Sequence, residues 1–444
     1  MEKTNASDKI NVRKVALTVL DRIEAAGQYS NIALDTAINR SGVKGADRAL
    51  LTTLVYGVIE NKITLDYCID KMASLPPSKI EASVRNALRM GIYQLAFLDR
   101  VPDHAAINES VSLVGRRSKG FVNAMLRNFA RGDRAMPLPE KETGAVKYLS
   151  VKYSVSEGIC DRFCRDFGAE RAEEIIAAMN EQPGITLRVN TLKISREMML
   201  ERLSDAGILS EKTRYSEVGI RLSAKNAYSE IVGNDEGLWF VQDEASQICA
   251  AVLGAMPGET VIDACACPGG KSFSISMLME NKGIVKSFDL HDNKLSLVRS
   301  GAERLGISII ETAERDGRKF DRALEGVADR ILVDVPCSGL GVMAKKPDIR
   351  YKDMKDIHRL PEIQLDIAEN GLRYLKRGGI MVYSTCTLLP AENEDNIKKL
   401  LELHPEIESV PFEIGDTVAE NGMITLYPDK HGTDGFFIAK LKKK

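Results

Sequence analysis

Apolar positions recur at three- and four-residue steps through the first third of the chain. Val12, Val15, Val19 and Ile23 form one stripe, Leu51, Leu54, Val55 and Val58 a second, and Leu88, Ile92 and Leu95 a third. A period near 3.6 puts such side chains on one helical face, which must be covered by a partner. Gly27, Gly42 with Gly45, Pro76-Pro77 and Pro102 punctuate the stripes, as residues that end or begin helices do. No strand-like alternation intervenes, so residues 1–132 are expected to form an all-α bundle. Residues 133–143 carry two prolines and mixed charge, the composition of a linker. Residues 144–236 combine a helical face of Ile159, Phe163 and Phe167 with strand-like pieces at 185–189 and 219–222, which predicts a small α+β domain.

The pattern changes at Gly237. Short apolar runs at 261–264, 284–288, 307–310, 331–333, 380–383 and 436–439 alternate with helical segments, one of them striped by Leu365, Ala368, Leu372 and Leu375. Continuous apolar strands separated by helices imply a parallel sheet covered on both faces. Residues 237–444 are therefore expected to be an α/β domain. Ligands of such sheets sit beyond the carboxyl ends of the strands, so the residues directly after each run are the functional candidates. The Lys442–Lys444 tail reads as a solvated end rather than a nucleic-acid arm.

Composition narrows the class. The chain has 444 residues, 44% hydrophobic and 28% charged, with a net charge of −2. That balance is globular, and it leaves any nucleic-acid role to local basic patches. No apolar run reaches the roughly 18 residues of a membrane span, and the first residues lack an apolar signal core. A cytoplasmic, monomeric protein is expected. Its eight cysteines are scattered through a long chain, unlike a secreted disulfide scaffold. They include no C-x-x-C pair with a nearby histidine, so no metal site is expected.

The first run of the α/β part leads into Asp263-Ala-Cys-Ala-Cys-Pro-Gly-Gly-Lys-Ser272 and then an apolar helix. Two glycines allow close backbone approach to a ligand at a helix start. The position five before Gly270 is Cys265 rather than glycine, which excludes a P-loop, and the G-x-G-x-x-G spacing is absent. A nucleoside cofactor without a pyrophosphate remains. Asp289 ends the second run, where an acid accepts hydrogen bonds from both ribose hydroxyls. Asp316 follows the third run and suits an adenine amino group or nearby backbone. Either acid alone reads as an ordinary turn residue; together with the glycine turn they suit S-adenosylmethionine. Lys271 is a candidate for the methionine carboxylate.

The fourth run ends in Asp334-Val-Pro-Cys337 and the fifth in Ser384-Thr-Cys386. A thiol is the side chain best able to add to carbon 6 of a cytosine, because part of it is already ionised at neutral pH. That addition makes carbon 5 nucleophilic. Asp334 is the candidate acid for the N3 and amino edge of the ring. Cys160 and Cys164, one helical turn apart, read as core or surface. Lys345, Lys346 and Arg350 lie in a cationic loop after Cys337, the kind of segment that contacts RNA phosphates.

These motifs closely resemble the bacterial Sun/Fmu family of 16S rRNA cytosine-5 methyltransferases. The likeness rests on Cys265–Lys271, on Asp334–Gly341 with Lys345–Arg350, and on Tyr383–Glu394; Val241–Gln247 and Arg188–Lys193 also match. Residues 10–131, through Gln28–Leu34, Asp47-Arg48 and Lys119–Arg127, resemble its NusB-like RNA-binding domain. The resemblance implies a multidomain chain: an all-α NusB-like bundle, a small α+β middle domain and an α/β Rossmann-like methyltransferase domain. It implies S-adenosylmethionine as cofactor and 16S rRNA as partner. It divides the thiols as well: Cys386 attacks carbon 6, and Cys337 assists release. Cofactor contacts are implied at Cys265, Ala266, Cys267, Pro268, Gly269, Gly270, Lys271, Asp289, Asp316 and Asp334. Cys267 stands where the family favours alanine, and Glu314 rivals Asp316. Methylation of another rRNA or tRNA cytosine, and a non-catalytic RNA-binding factor, are the alternatives.

Overall fold

The computed structural model describes residues 10–142, 144–181, 184–223 and 231–444. Residues 1–9, 143, 182–183 and 224–230, which belong to the ends and interiors of the expected domains, lie outside the described residues. The chain forms two compact units: one runs to Glu173 and adds Lys346–Asp353, and the other comprises Glu174–Lys345 and Met354–Lys444.

The first unit is helical, as the stripes predict. Its helices include Val12–Ala26, Ser30–Ser41, Gly45–Glu60, Lys62–Met72, Ala82–Phe97, Asp103–Ser112 and Lys119–Arg131. The first is capped at both ends. Asn11 Oδ1 accepts the N–H of Lys14 at 2.9 Å, and Gly27 adopts the left-handed conformation that closes a helix. The striped residues Leu51, Leu54, Val55, Leu88 and Ile92 are fully buried. Among them Arg89 is also buried. Its guanidinium takes both oxygens of Asp66 at 2.8 and 2.7 Å and Glu24 at 3.0 Å.

The compact units do not follow the boundary expected at 133–143. Helices Ala145–Tyr153 and Glu157–Phe167 fall within the helical unit. The Thr64 hydroxyl donates to the carbonyl of Val151, and Ser154 Oγ accepts the N–H of Ile63. The segment 346–353 also belongs to this unit. Asp348 accepts the N–H and hydroxyl of Ser30 at 3.1 and 2.6 Å, and the Tyr351 hydroxyl donates to the carbonyl of Ile59.

In the second unit, strands β1 (Ile185–Val189), β2 (Ser210–Lys212), β3 (Gly219–Leu222) and β4 (Trp239–Val241) form an antiparallel sheet in the order β2-β3-β1-β4. With helix Arg196–Asp205 it makes the expected α+β element, although β4 lies beyond the expected limit of residue 236. The larger sheet contains β5 (Thr260–Asp263), β6 (Ile284–Asp289), β7 (Ile310–Glu314), β8 (Ala328–Asp334) and β9 (Leu375–Thr385), all parallel. Strands β10 (Ile407–Ser409), β13 (Met423–Leu426) and β14 (Phe436–Lys443) complete it antiparallel, while β11 (Phe412–Ile414) and β12 (Thr417–Ala419) pair separately. The order β10-β14-β9-β8-β5-β6-β7 reverses direction between β5 and β8, which is where open sheets of this kind bind ligands.

One strand departs from expectation. The apolar run 307–310 is not a strand except at its last residue. Gly306 is left-handed, and the Ile307 N–H returns to Ala302 at 2.8 Å. This is a Schellman closure of helix Asp292–Leu305, with Ile307 as its apolar plug, so β7 begins only at Ile310.

The loop after β8 runs tightly against the turn before β14. The Gly435 N–H donates to the carbonyl of Gly341 at 2.9 Å, and a Cβ on Gly341 would lie 2.0 Å from Gly435 O. That oxygen is backbone and has no room to retreat.

Two substitutions test these contacts. Arg89→Ala should lower unfolding stability by about 3 kcal/mol, toward the low end for a broken buried pair because Asp66 and Glu24 keep some water. Denaturant titration would show it, and a change below about 0.5 kcal/mol would refute it. Gly341→Ala should cost about 1–3 kcal/mol by overpacking, whereas Gly120→Ala, where a Cβ meets nothing within 4 Å, should not.

Candidate active site: two thiols at the strand reversal

Strands β8 and β9 are parallel neighbours with Asp334 in register with Ser384. Each chain turns at the same edge of the sheet, and each turn carries a cysteine. The sulfurs of Cys337 and Cys386 approach to 3.2 Å, both half-buried and unbridged. The two turns are tied by the Gly341 N–H to the carbonyl of Cys386 at 3.0 Å and by the Ser338 hydroxyl to Thr387 Oγ1 at 2.7 Å.

Beside the thiols stands an ion pair. Lys271 Nζ lies 2.7 Å from Asp334 Oδ2, and the Ser384 hydroxyl donates to Asp334 Oδ1 at 2.8 Å. Both carboxylate oxygens thus face donors. Burial opposes the charge of Lys271, but Asp334, together with negative charge at Cys249 and then Cys386, raises the ammonium's pKa. Coulombic attraction is mutual, so this ammonium acts on both of those sulfurs. Cys337 is pushed well above the ordinary thiol range. Its hydrogen bond with Cys386 is the largest cause, followed by burial and by the charges of Cys386, Glu392 and Asp334.

The glycine turn forms the next wall. Gly269 has φ +110, and a Cβ there would lie 2.5 Å from the ring of Phe273. Only glycine keeps that turn open. Asp263 is buried behind it, receives the Ser272 hydroxyl at 2.7 Å, and has its pKa raised to about 6 chiefly by burial. Asp289 ends β6 and accepts the N–H of His291 at 3.1 Å. Cys267 lies beside Asp289, and burial with that carboxylate pushes its thiol up to about 12. Beyond them a cleft of about 340 Å³ is lined by Ala264, Phe288, Glu314, Asp316, Gly317 and Ile367. Asp316 is held by Arg318 at 2.9 and 2.8 Å, whereas Glu314 is exposed and in register with Asp289. Acids for hydroxyl and amino groups, apolar walls for a flat ring and a glycine cradle fit a nucleoside cofactor.

The expected residues therefore separate. Cys265–Lys271, Asp289, Asp316, Asp334, Cys337 and Cys386 all lie along the carboxyl edge. Lys271 faces Asp334, not an open site for a free carboxylate. Two of the residues expected to contact RNA, Lys345 and Arg350, have partners within the protein. The Lys345 ammonium is held between Asp243 at 2.5 Å and Asp434 at 2.8 Å. Arg350 is buried in the helical unit, where it donates to the carbonyl of Tyr153 at 3.0 Å. Lys345 and Lys346 are exposed, and Arg350 is not. Sequence reasoning missed Glu392 and Gln364, both buried beside the Cys337 turn. Glu392 stands inside the stretch that carried the resemblance, but no spacing marked it as buried. Among the described residues no helix is long and apolar enough to cross a membrane.

Comparison with known proteins agrees with this architecture. Residues 250–442 match the family described as 16S rRNA methyltransferase RsmB/F, residues 10–131 the NusB family, and residues 158–228 a ferredoxin-like domain of RsmF/B-like methyltransferases. A Bacillus subtilis relative named "Probable ribosomal RNA small subunit methyltransferase B" is 38% identical, covering 98% of this chain and 99% of its own. "Ribosomal RNA small subunit methyltransferase B" of Serratia proteamaculans is 32% identical over 98% of this chain and 99% of its own. A solved methyltransferase homologue from Pyrococcus horikoshii, 32% identical, superposes with a TM-score of 0.60 over 68% of this chain and 99% of that one. With a helical NusB part, a ferredoxin-like sheet and a methyltransferase sheet in one chain, the protein belongs to the RsmB/F family of 16S rRNA methyltransferases.

Proposed function

We propose that this enzyme methylates carbon 5 of a cytosine in 16S rRNA through a covalent bond between Cys386 and carbon 6. The observation that carries the reading is the 3.2 Å approach of two thiols at adjacent strand ends, beside the Lys271–Asp334 pair.

Two sulfurs this close do not both ionise, since like charges at a few ångströms disfavour each other. The electrostatics favour one arrangement. Lys271 stabilises negative charge at Cys386, while Cys337 is held as a thiol. The Cys386 thiolate adds to carbon 6, and the π electrons of the ring double bond move to carbon 5. S-adenosylmethionine, bound on the Gly269 turn with Asp289 and Glu314 or Asp316 at its nucleoside, would supply an electrophilic methyl group to carbon 5, its sulfonium S–CH3 bond breaking to leave a neutral thioether. A base then takes the proton of carbon 5, the double bond re-forms, and the electrons of the carbon–sulfur bond return to Cys386. The Cys337 S–H, directed at that sulfur, stabilises the departing thiolate by hydrogen bonding. Asp334, with donors on both oxygens, is suited to accept from the amino edge of cytosine. The target base must be unpaired or flipped out to reach this edge.

Purified protein incubated with methyl-labelled S-adenosylmethionine should place label in 5-methylcytosine of 16S rRNA. Label in tRNA alone, or RNA binding without label, would overturn the reading. Cys386→Ala should abolish both methylation and covalent RNA adduct. Cys337→Ala should retain adduct on denaturing gels and turn over at least roughly a hundredfold more slowly, the range for losing a positioned proton donor. The reverse pattern would exchange the roles of the two sulfurs.

A further inference from the structure

We propose that Glu392 is a positioning residue for Cys337: its buried carboxylate fixes the backbone of the Cys337 turn and sets a negative charge beside that sulfur. The inference rests on the assignment of the thiols above.

Glu392 sits in the short turn Pro390–Glu392 after β9 and is 1% exposed. Its Oε2 accepts the Ser338 N–H at 2.9 Å and Gln364 Nε2 at 2.7 Å. Gln364, from helix Leu360–Tyr374, also donates to the carbonyl of Pro336 at 3.0 Å. Cys337 is thereby gripped on both sides, at the carbonyl before it and the amide after it. The turn is anchored to β9 as well, because the Tyr383 hydroxyl donates to the Glu392 carbonyl at 2.7 Å. A neutral glutamine would serve for these bonds alone. The carboxylate's donors are amides rather than cations, and Oε1 is buried without a hydrogen-bond partner. A charge buried in that way costs stability and calls for another purpose.

The groups facing the Cys337 sulfur supply one. Cys386 and Tyr383 lie on or after β9, Asp334 ends β8, Glu392 follows β9, and helix Leu360–Tyr374 contributes the neutral Gln364. Lys271 reaches this cluster through Asp334. Glu392 is therefore an uncompensated negative charge acting on Cys337, and it disfavours a thiolate there. It keeps the proton on the sulfur that must donate to Cys386 during release.

Two substitutions separate grip from charge. Glu392→Ala removes both and should retain covalent RNA adduct as Cys337→Ala does, with release slowed roughly a hundredfold, the scale of an ångström misplacement. Glu392→Gln keeps an acceptor for Ser338 but removes the charge. Release in this variant should fail at lower pH than in the wild type, its alkaline limb moving down by roughly one unit, because a thiol freed from a neighbouring carboxylate ionises sooner. KM for RNA and for S-adenosylmethionine should stay unchanged. Single-turnover release measured between neutral and alkaline pH reads both effects. A wild-type limb in Glu392→Gln, or a loss in Glu392→Ala that affects adduct formation and release equally, overturns the inference while Cys337→Ala still traps adduct. Free release from Cys337→Ala overturns the thiol assignment itself, and this inference with it.

Discussion

Two sulfur atoms held 3.2 Å apart can carry one negative charge between them, and the rest of the site is organised around which sulfur carries it. Parallel pairing of β8 with β9 brings the turns together in fixed register. The Lys271 ammonium, seated on Asp334, lies on the side of Cys386. The Glu392 carboxylate lies on the side of Cys337. The thiols are chemically identical in sequence and become different only through these neighbours. A family resemblance implies the roles; on the proposed mechanism their cause is the placement of one cation and one anion.

The same logic explains why thiol chemistry concentrates here. Burial raises Cys68 to about 11 and Cys160 and Cys249 to about 12, and Cys265 is pushed up further by burial and by surrounding carboxylates. Those sulfurs behave as small apolar side chains. Thiolate character needs partial exposure and a nearby cation; Cys386 is half-buried, and on the proposed mechanism Lys271 is its cation.

Much of this was legible in the sequence. Parallel strands buried on both faces must be nearly continuous apolar runs, so β5, β6, β8 and β9 stood out, as did the antiparallel β14, and the catalytic candidates followed β8 and β9 directly. What misled was residues whose partners are remote in the chain. Ile307 read as strand because its apolar character is the same whether it pairs in a sheet or plugs a helix end. Lys345 and Arg350 read as RNA contacts because a cationic loop shows no sign of Asp243 and Asp434, or of the carbonyl of Tyr153, waiting for it. Helix 145–153 read as part of the middle domain because its contacts with Ile63 and Thr64, through Ser154 and Val151, depend on packing.

Burial of ionised groups separates the structural from the reactive part of the enzyme. Arg89 is surrounded by Asp66, Glu24 and Asn86, with opposite charges and hydrogen bonds enough to compensate it. Glu392 has no such compensation, and burial raises the pKa of Asp263 to about 6, which disfavours its charged form. Buried ions are rarely better for stability than apolar residues of the same volume. Their uneven treatment is therefore informative. In the helical unit the charge of Arg89 is neutralised where it is buried, whereas beside the Cys337 turn the Glu392 carboxylate meets amides only. On the proposed mechanism, a site that generates a thiolate and then releases it needs fields that are not cancelled in advance.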